Sequence, residues 1–252
     1  MLYVSEYEGT PASLLLAKLK SYDIESNKER QISNESVKEI NRRNTIMRDN
    51  SLDIATMVAY TEAGKSITIK EKKNVVIART KDNGLEVGDI ILSADNTTCE
   101  DVNDIKKIIN NKEKEVNSKI YLESNSKVVG VVIVTEHDYD IDPKIDIKFK
   151  NSESGASGGL MLTLTIYNAI TDEDIIKDRK IAGTGTISYD GTVGEIDGIK
   201  YKIMGAAKDN VKIVFVPTAN YEEAIMTKNK YKYDLEIVRV DNFKEAIEYL
   251  KK

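Results

Sequence analysis

Residues 151–170 read NSESGASGGLMLTLTIYNAI, and this stretch decides how the second half of the chain folds. Gly155, Gly158 and Gly159 crowd around Ser157, and an apolar run from Leu160 to Ile170 follows at once. The pattern predicts a tight turn feeding directly into a buried helix. A serine at that junction sits at a helix N-terminus, where unpaired N–H groups and the positive dipole end favour a developing oxyanion. Glycines let the backbone, and hence a substrate carbonyl, come close. Two readings stay open on this stretch alone: a nucleophile, or an N-cap serine in an ordinary Gly/Ser loop.

Further along, residues 181–204 read IAGTGTISYDGTVGEIDGIKYKIM. Ile181 to Ser188 predicts a strand, Tyr189-Asp190-Gly191 a turn, and Thr192 to Ile196 a return strand. Asp197-Gly198 then opens a helix running to about Lys208. Lys202 lies on it, flanked by Ile199, Ile203 and Ala206 on one helical face. A lysine beside an apolar face is a candidate for desolvation, which lowers its pKa and makes it a base. A serine needs such a base to become a nucleophile.

GASGGLM followed by TGTISYDGTVGEIDGIKYKI resembles the proteolytic domain of Lon proteases, whose pattern is roughly G-P-S-A-G, then T-G-x-I/V, then I-G-G-[LI]-K-x-K. The resemblance covers roughly residues 130 to 252 and carries three motifs in order. It implies a Ser–Lys dyad, with Ser157 as nucleophile and Lys202, the second lysine of Lys200-Tyr201-Lys202, as base. The two stand 45 positions apart, a spacing typical of the family. Thr184 matches the family's threonine that helps hold the lysine amine. Gly155, Ala156 and Gly158 would form the oxyanion loop. Ala156 replaces the family's usual proline and Gly158 its alanine. Ser154 stands where ATP-dependent members carry an aspartate. Glu195 and Asp197 replace a proline and a glycine before the lysine helix.

Composition narrows the remaining classes. The chain has 252 residues, enough for one large domain or two modest ones. A net charge of −5 argues against a general nucleic-acid surface. The single cysteine, Cys99, allows no internal disulfide and no Cys-rich metal site. The single histidine, His137, rules out a multi-histidine metal site within one chain and reads as a surface or linker residue. No apolar run approaches the roughly 20 residues that span a membrane. The start, LYVSEY, resembles the point just after the N-terminal membrane anchor of related proteins, so the resemblance implies an anchor missing here and a place on the extracytoplasmic face of a bacterial membrane. It also implies self-association into a ring, perhaps a hexamer.

The first 65 residues read as a strand and helical segment. Leu2 to Tyr7 alternates weakly. Thr10-Pro11 starts a helix whose Leu14, Leu15, Leu16 and Leu19 predict a half-buried face. Residues 21–34 are polar and irregular. Glu35 to about Ala63 keeps a helical period through Val37, Ile40, Ile54 and Val58, interrupted by Asn41-Arg42-Arg43-Asn44 and Arg48-Asp49-Asn50. A bent helix or two helices would fit, packing in a core or binding a partner. Ala59 to Ser66, AYTEAGKS, is similar to a phosphate-binding loop but lacks its first glycine and its strand–loop–helix setting.

Residues 66–135 predict a second unit, with strands at Ile67–Ile69, Val75–Ala78, Asp89–Leu92 and Val128–Val134 and a short helix over Asp101–Asn110. GLEVGDIILSADN, residues 84–96, resembles the L-x-x-G-D-x-I-L-x-x-D/N-G phrase of PDZ domains, through Leu85, Gly88, Asp89, Ile90, Leu92, Asp95 and Asn96. Glu71-Lys72-Lys73-Asn74 occupies the place of the carboxylate loop. Peptide capture by strand addition and a purely structural module both remain open. Asp138, Asp140 and Asp142 space like calcium ligands, but Pro143 and Phe149 stand where that loop needs glycine and glutamate, so a strand pair is expected there. After Lys202, strands at Lys212–Val216 and Leu235–Val240 alternate with helices at Tyr221–Lys228 and Asn242–Leu250.

The expected fold is therefore α+β: a helical N-terminal segment (1–65), a PDZ-like domain (66–135) and a C-terminal α/β Lon-type proteolytic domain (136–252). The resemblance implies an ATP-independent serine endopeptidase acting on extended protein or peptide segments, with no cofactor and no metal. The alternative is a proteolytically inactive scaffold that binds peptides.

Overall fold

The computed structural model describes residues 2, 4, 9–20, 22–24, 31, 35–79, 84–94, 97–112, 120–121, 128–129, 131–150 and 153–252. Most of the strand expected at Leu2–Tyr7 and most of residues 21–34 lie outside them. Helix α1 (Pro11–Lys20) starts where Thr10-Pro11 predicts, with the Ser13 N–H donating to Thr10 Oγ1 at 3.2 Å. Its Leu14, Leu15 and Leu16 are exposed, contrary to the half-buried face expected. Three consecutive leucines spread around a 3.6-residue turn and make no single stripe.

Helix α2 (Val37–Glu62) is one continuous helix, not two. Ser36 and Glu39 close a reciprocal capping box at its start, each side chain taking up the other's backbone N–H. Ala55, Val58, Ala59 and Tyr60 carry its C-terminal half into the main core. AYTEAGKS is the end of this helix and the start of the next strand, with the Lys65 N–H turned back to the Tyr60 carbonyl at 2.9 Å. Helix-then-strand is the reverse of the order a phosphate loop needs.

Strand β1 (Ser66–Arg79) is unbroken where two strands and an intervening loop are expected. Ion pairs hold its charged residues in the ladder: Lys70 meets Asp140 of the returning strand at 2.7 Å, and Lys72 meets Asp101, just before the helix that starts at Val102, at 3.1 Å. β2 (Ile90–Ile91) pairs with β1 at Asn74 and Val75. β3 (Ser93–Ala94) and β4 (Thr97–Thr98) form a small hairpin, α3 (Val102–Lys112) follows, and β5 (Ile120–Tyr121) pairs with β6 (Val128–Val129). β7 (Val131–Asp142) returns antiparallel along the whole of β1, from Arg79↔Val131 to Ser66↔Asp142. Residues 80–130 thus leave and rejoin the hairpin at its tip. Val76, Ile91, Ala94, Cys99, Ile105 and Val131 form a small core there. Asp95 and Asn96 of the PDZ-like phrase lie outside the described residues. Asp138, Asp140 and Asp142 sit on β7, one ladder strand rather than a loop.

The C-terminal part is a three-layer α/β/α unit. Helix α4 (Gly159–Ile170) follows the serine loop, and β8 (Ile181–Gly183) starts a parallel sheet. The long strand expected over 181–188 is broken at Thr184-Gly185: there the chain leaves the sheet and forms a separate hairpin of β9 (Thr186–Ile187) and β10 (Val193–Gly194). Helix α5 (Ile199–Lys208), β11 (Ile213–Pro217), a 3-10 turn, α6 (Tyr221–Tyr231), β12 (Glu236–Val240) and α7 (Phe243–Lys251) complete the unit. The sheet order is β12-β11-β8, all parallel. Alternation along β11 sends Phe215 to α2, α4 and α7 on one face, and Val214 and Val216 to α5 and α6 on the other. No helix among the described residues is long and apolar enough to cross a membrane.

Candidate active site

The two motifs meet at the edge of the parallel sheet. Ser157 precedes α4, Thr184 directly follows β8, and Lys202 lies in the first turn of α5, so three sequence-distant elements converge. Lys202 Nζ is 2.8 Å from Ser157 Oγ and 3.0 Å from Thr184 Oγ1. Thr184 Oγ1 donates to the Ser157 carbonyl at 3.0 Å. Its one proton is thereby used, so it can only accept from Lys202. A neutral Lys202 amine then gives one N–H to Thr184 and has its lone pair free for the Ser157 hydroxyl.

Lys202 is buried, with Ile199, Ile203 and Ala206 of α5 buried on the same face. Burial pushes its pKa down from 10.5 to about 8, and the Asp197 carboxylate just before α5 pulls in the opposite direction. Desolvation of the ammonium form is therefore the dominant effect, and it makes the free amine accessible near neutral pH.

The cap reading of Ser157 does not hold. Gly158 is the N-cap of α4 and no side chain caps it, so the Ser157 hydroxyl is turned to Lys202 instead. Gly159 admits no side chain: a Cβ there would lie 2.7 Å from Ile187 Cγ2 and 2.8 Å from the Ile187 nitrogen. Gly155 holds φ +80°, a conformation that disfavours any residue with a Cβ. Its N–H donates to the Asn44 carbonyl at 2.8 Å. Among the described residues the N–H groups of Ala156, Ser157 and Gly158 make no hydrogen bond within the chain. Of the residues expected in an oxyanion loop, Ala156 and Gly158 therefore keep unused donors, whereas the Gly155 N–H is taken.

The family model of the Lon protease (S16) C-terminal proteolytic domain matches residues 112–251, more than half of the chain. The chain belongs to this family. The Lon protease of Mesomycoplasma hyopneumoniae is 30% identical over 98 residues, which are 39% of this chain and 11% of that protein. The archaeal Lon protease of Halobacterium salinarum is 31% identical over 104 residues, 40% of this chain and 15% of its own length. That of Campylobacter jejuni is 28% identical over 121 residues, 43% and 15% respectively. The chain spans a small part of the length of these curated relatives.

Two features of this Lon-type unit escape the sequence reading. His137 is neither surface nor linker: its side chain is 7% exposed, and Nδ1 lies 2.9 Å from Asp53 Oδ2, itself on a side chain 8% exposed. The His137 N–H donates to the same oxygen at 2.8 Å, and Tyr189 packs edge-on against the imidazole. Burial pushes the Tyr189 phenol up to about 12. The cluster fastens α2, β7 and the β9–β10 turn together. The second feature is the contact of Asn44, Arg48 and Ser51 with residues 153–156. Its only sequence signal is the polar interruption of the α2 stripe.

Proposed function

We propose that this chain is an ATP-independent serine endopeptidase in which Ser157 and Lys202 form the catalytic dyad. The 2.8 Å approach of a buried lysine amine to the serine hydroxyl carries this reading. Neutral Lys202 takes the Ser157 proton as Oγ attacks the scissile carbonyl carbon. The C–N bond then breaks, the proton passes from Lys202 to the departing amine, and an ester on Ser157 remains. Water attacks that ester with Lys202 again as base, and the acid product leaves as the serine is regenerated. The unused N–H groups of Ala156, Ser157 and Gly158 are the candidate donors to the developing oxyanion, and one such donor is worth roughly 3 kcal/mol in comparable sites. Thr184 orients the amine.

Substrates are extended or unfolded protein segments, selected in part by the PDZ-like unit. Ring assembly and a membrane tether on the extracytoplasmic side complete the reading. Cleavage of casein without ATP, compared with Ser157→Ala and Lys202→Ala, tests it. Loss in both variants supports the dyad. Equal activity in all three sinks it. Inactivity of the parent, with no labelling of Ser157 by a serine-reactive phosphonate, favours a peptide-binding scaffold.

A further inference from the structure

Helix α2 lies wholly before residues 112–251, yet one stripe of it grips the serine loop. Asn44, Arg48 and Ser51 are spaced by four and three positions, which places them on one helical face. The Asn44 carbonyl accepts the Gly155 N–H at 2.8 Å. Arg48 Nη1 donates to the Glu153 carbonyl at 2.9 Å. Ser51 Oγ donates to the Ala156 carbonyl at 3.2 Å.

Arg48 is itself fixed before it reaches the loop. Its Nε donates to Asp49 Oδ1 at 2.8 Å, and its guanidinium lies 4.7 Å over the Phe149 ring. A planar fork held on both sides loses little freedom in making the third contact. The Ser51 contact has a directional consequence. In a planar trans peptide the carbonyl and the next N–H point oppositely. The Ala156 carbonyl, which also accepts the Gly159 N–H at 3.2 Å, is thus drawn toward α2 by Ser51, and the Ser157 N–H is aimed away from α2.

We infer that α2 is the positioning element of the serine loop, with Arg48 and Ser51 as positioning residues that act through the backbone of residues 153–156 to hold Ser157 against Lys202. The inference rests on the Ser–Lys reading for its catalytic consequence, but its structural part stands separately. In Ser51→Ala and Arg48→Ala, kcat on an unstructured peptide should fall about 10- to 100-fold, the loss that misplacing a reacting group produces, with KM and the midpoint of the pH profile unchanged because Lys202 stays buried. Arg48→Lys, which keeps a donor but not the stacked fork, should fall between. Thr45→Ala, exposed on the same helix, should match the parent. Amide exchange at Gly155, followed in the intact protein, should quicken by at least about 10-fold in both loop-contact variants.

Normal kcat in Ser51→Ala and Arg48→Ala beside a dead Ser157→Ala would overturn the inference and leave the dyad standing. A loss of kcat that merely tracks the folded fraction would overturn it too. If Ser157→Ala were fully active the dyad would fall, and the exchange data alone would decide: unchanged protection at Gly155 would refute the brace, and faster exchange would uphold it.

Discussion

At the residue scale the charge of Lys202 is a balance between burial and the Asp197 carboxylate. Because Lys202 is held near pKa 8, hydrolysis should rise with pH through about 8 as the free amine forms. Asp197 raises that pKa, so Asp197→Asn should move the rising limb to lower pH, read as a shift of the kcat/KM profile. The same burial costs stability. The folded state binds the lysine proton less readily than the unfolded chain does, whose lysine titrates near 10.5. The penalty is full below pH 8, amounts to roughly 3 kcal/mol there, and fades as pH climbs from about 8 to 10.5. Stability should therefore rise across that window. Lys202→Met should abolish cleavage, remove the slope and stabilise the protein at pH 7 by about 1–3 kcal/mol in urea unfolding. Ser157, Thr184 and Lys202 were legible in the sequence because three motifs in order name them. The Gly155 N–H and the buried His137 were not, since their partners, Asn44 and Asp53, lie far off in the chain.

At the element scale, starts and stops read better than interruptions. Thr10-Pro11, Asn242 and the apolar run after Ser157 each announce a helix through local chemistry, and helices form there. The break of the 181–188 run at Thr184-Gly185 has a tertiary cause: the Gly185 N–H donates to the Ser157 carbonyl and the Leu160 N–H to the Gly185 carbonyl, so the serine loop takes bonds a longer strand would use. The start of α4 is wedged against that same segment. Gly159→Ala should show it. The new Cβ would press on the Ile187 backbone nitrogen, which cannot swing aside as a side-chain end can. A destabilisation of about 1–3 kcal/mol is expected, with a loss of activity larger than the unfolded fraction explains. Denaturant melts run beside kcat separate the two.

At the scale of the whole molecule, the organising element is the long β1–β7 hairpin, which local patterning could not reveal because its register joins Ser66 to Asp142. Its base lies against α2, and its tip bears residues 80–130. Among the described residues, the two larger cores take no member from 80–130, and the small third core takes most of its members from that segment. Residues 80–130 are thus hung on a hairpin whose base the proteolytic core already holds. Contacts with α2 lie on both sides of the junction: Arg79, at the end of β1, pairs with Glu39 at 2.9 Å, and Gly88, within the segment, leaves room for the Arg42 guanidinium. Replacing residues 80–130 by a short turn, with Val76 and Val131 made polar, should leave the hairpin closed, because Arg79 and Val131 already face each other. The dyad and its α2 brace would be untouched. Cleavage of a short unstructured peptide should stay within several-fold of the parent, while competition between protein substrates should lose its selectivity. Collapse of peptide cleavage in a protein that still melts cooperatively would instead assign residues 80–130 a part in holding α2, and through α2 the serine loop.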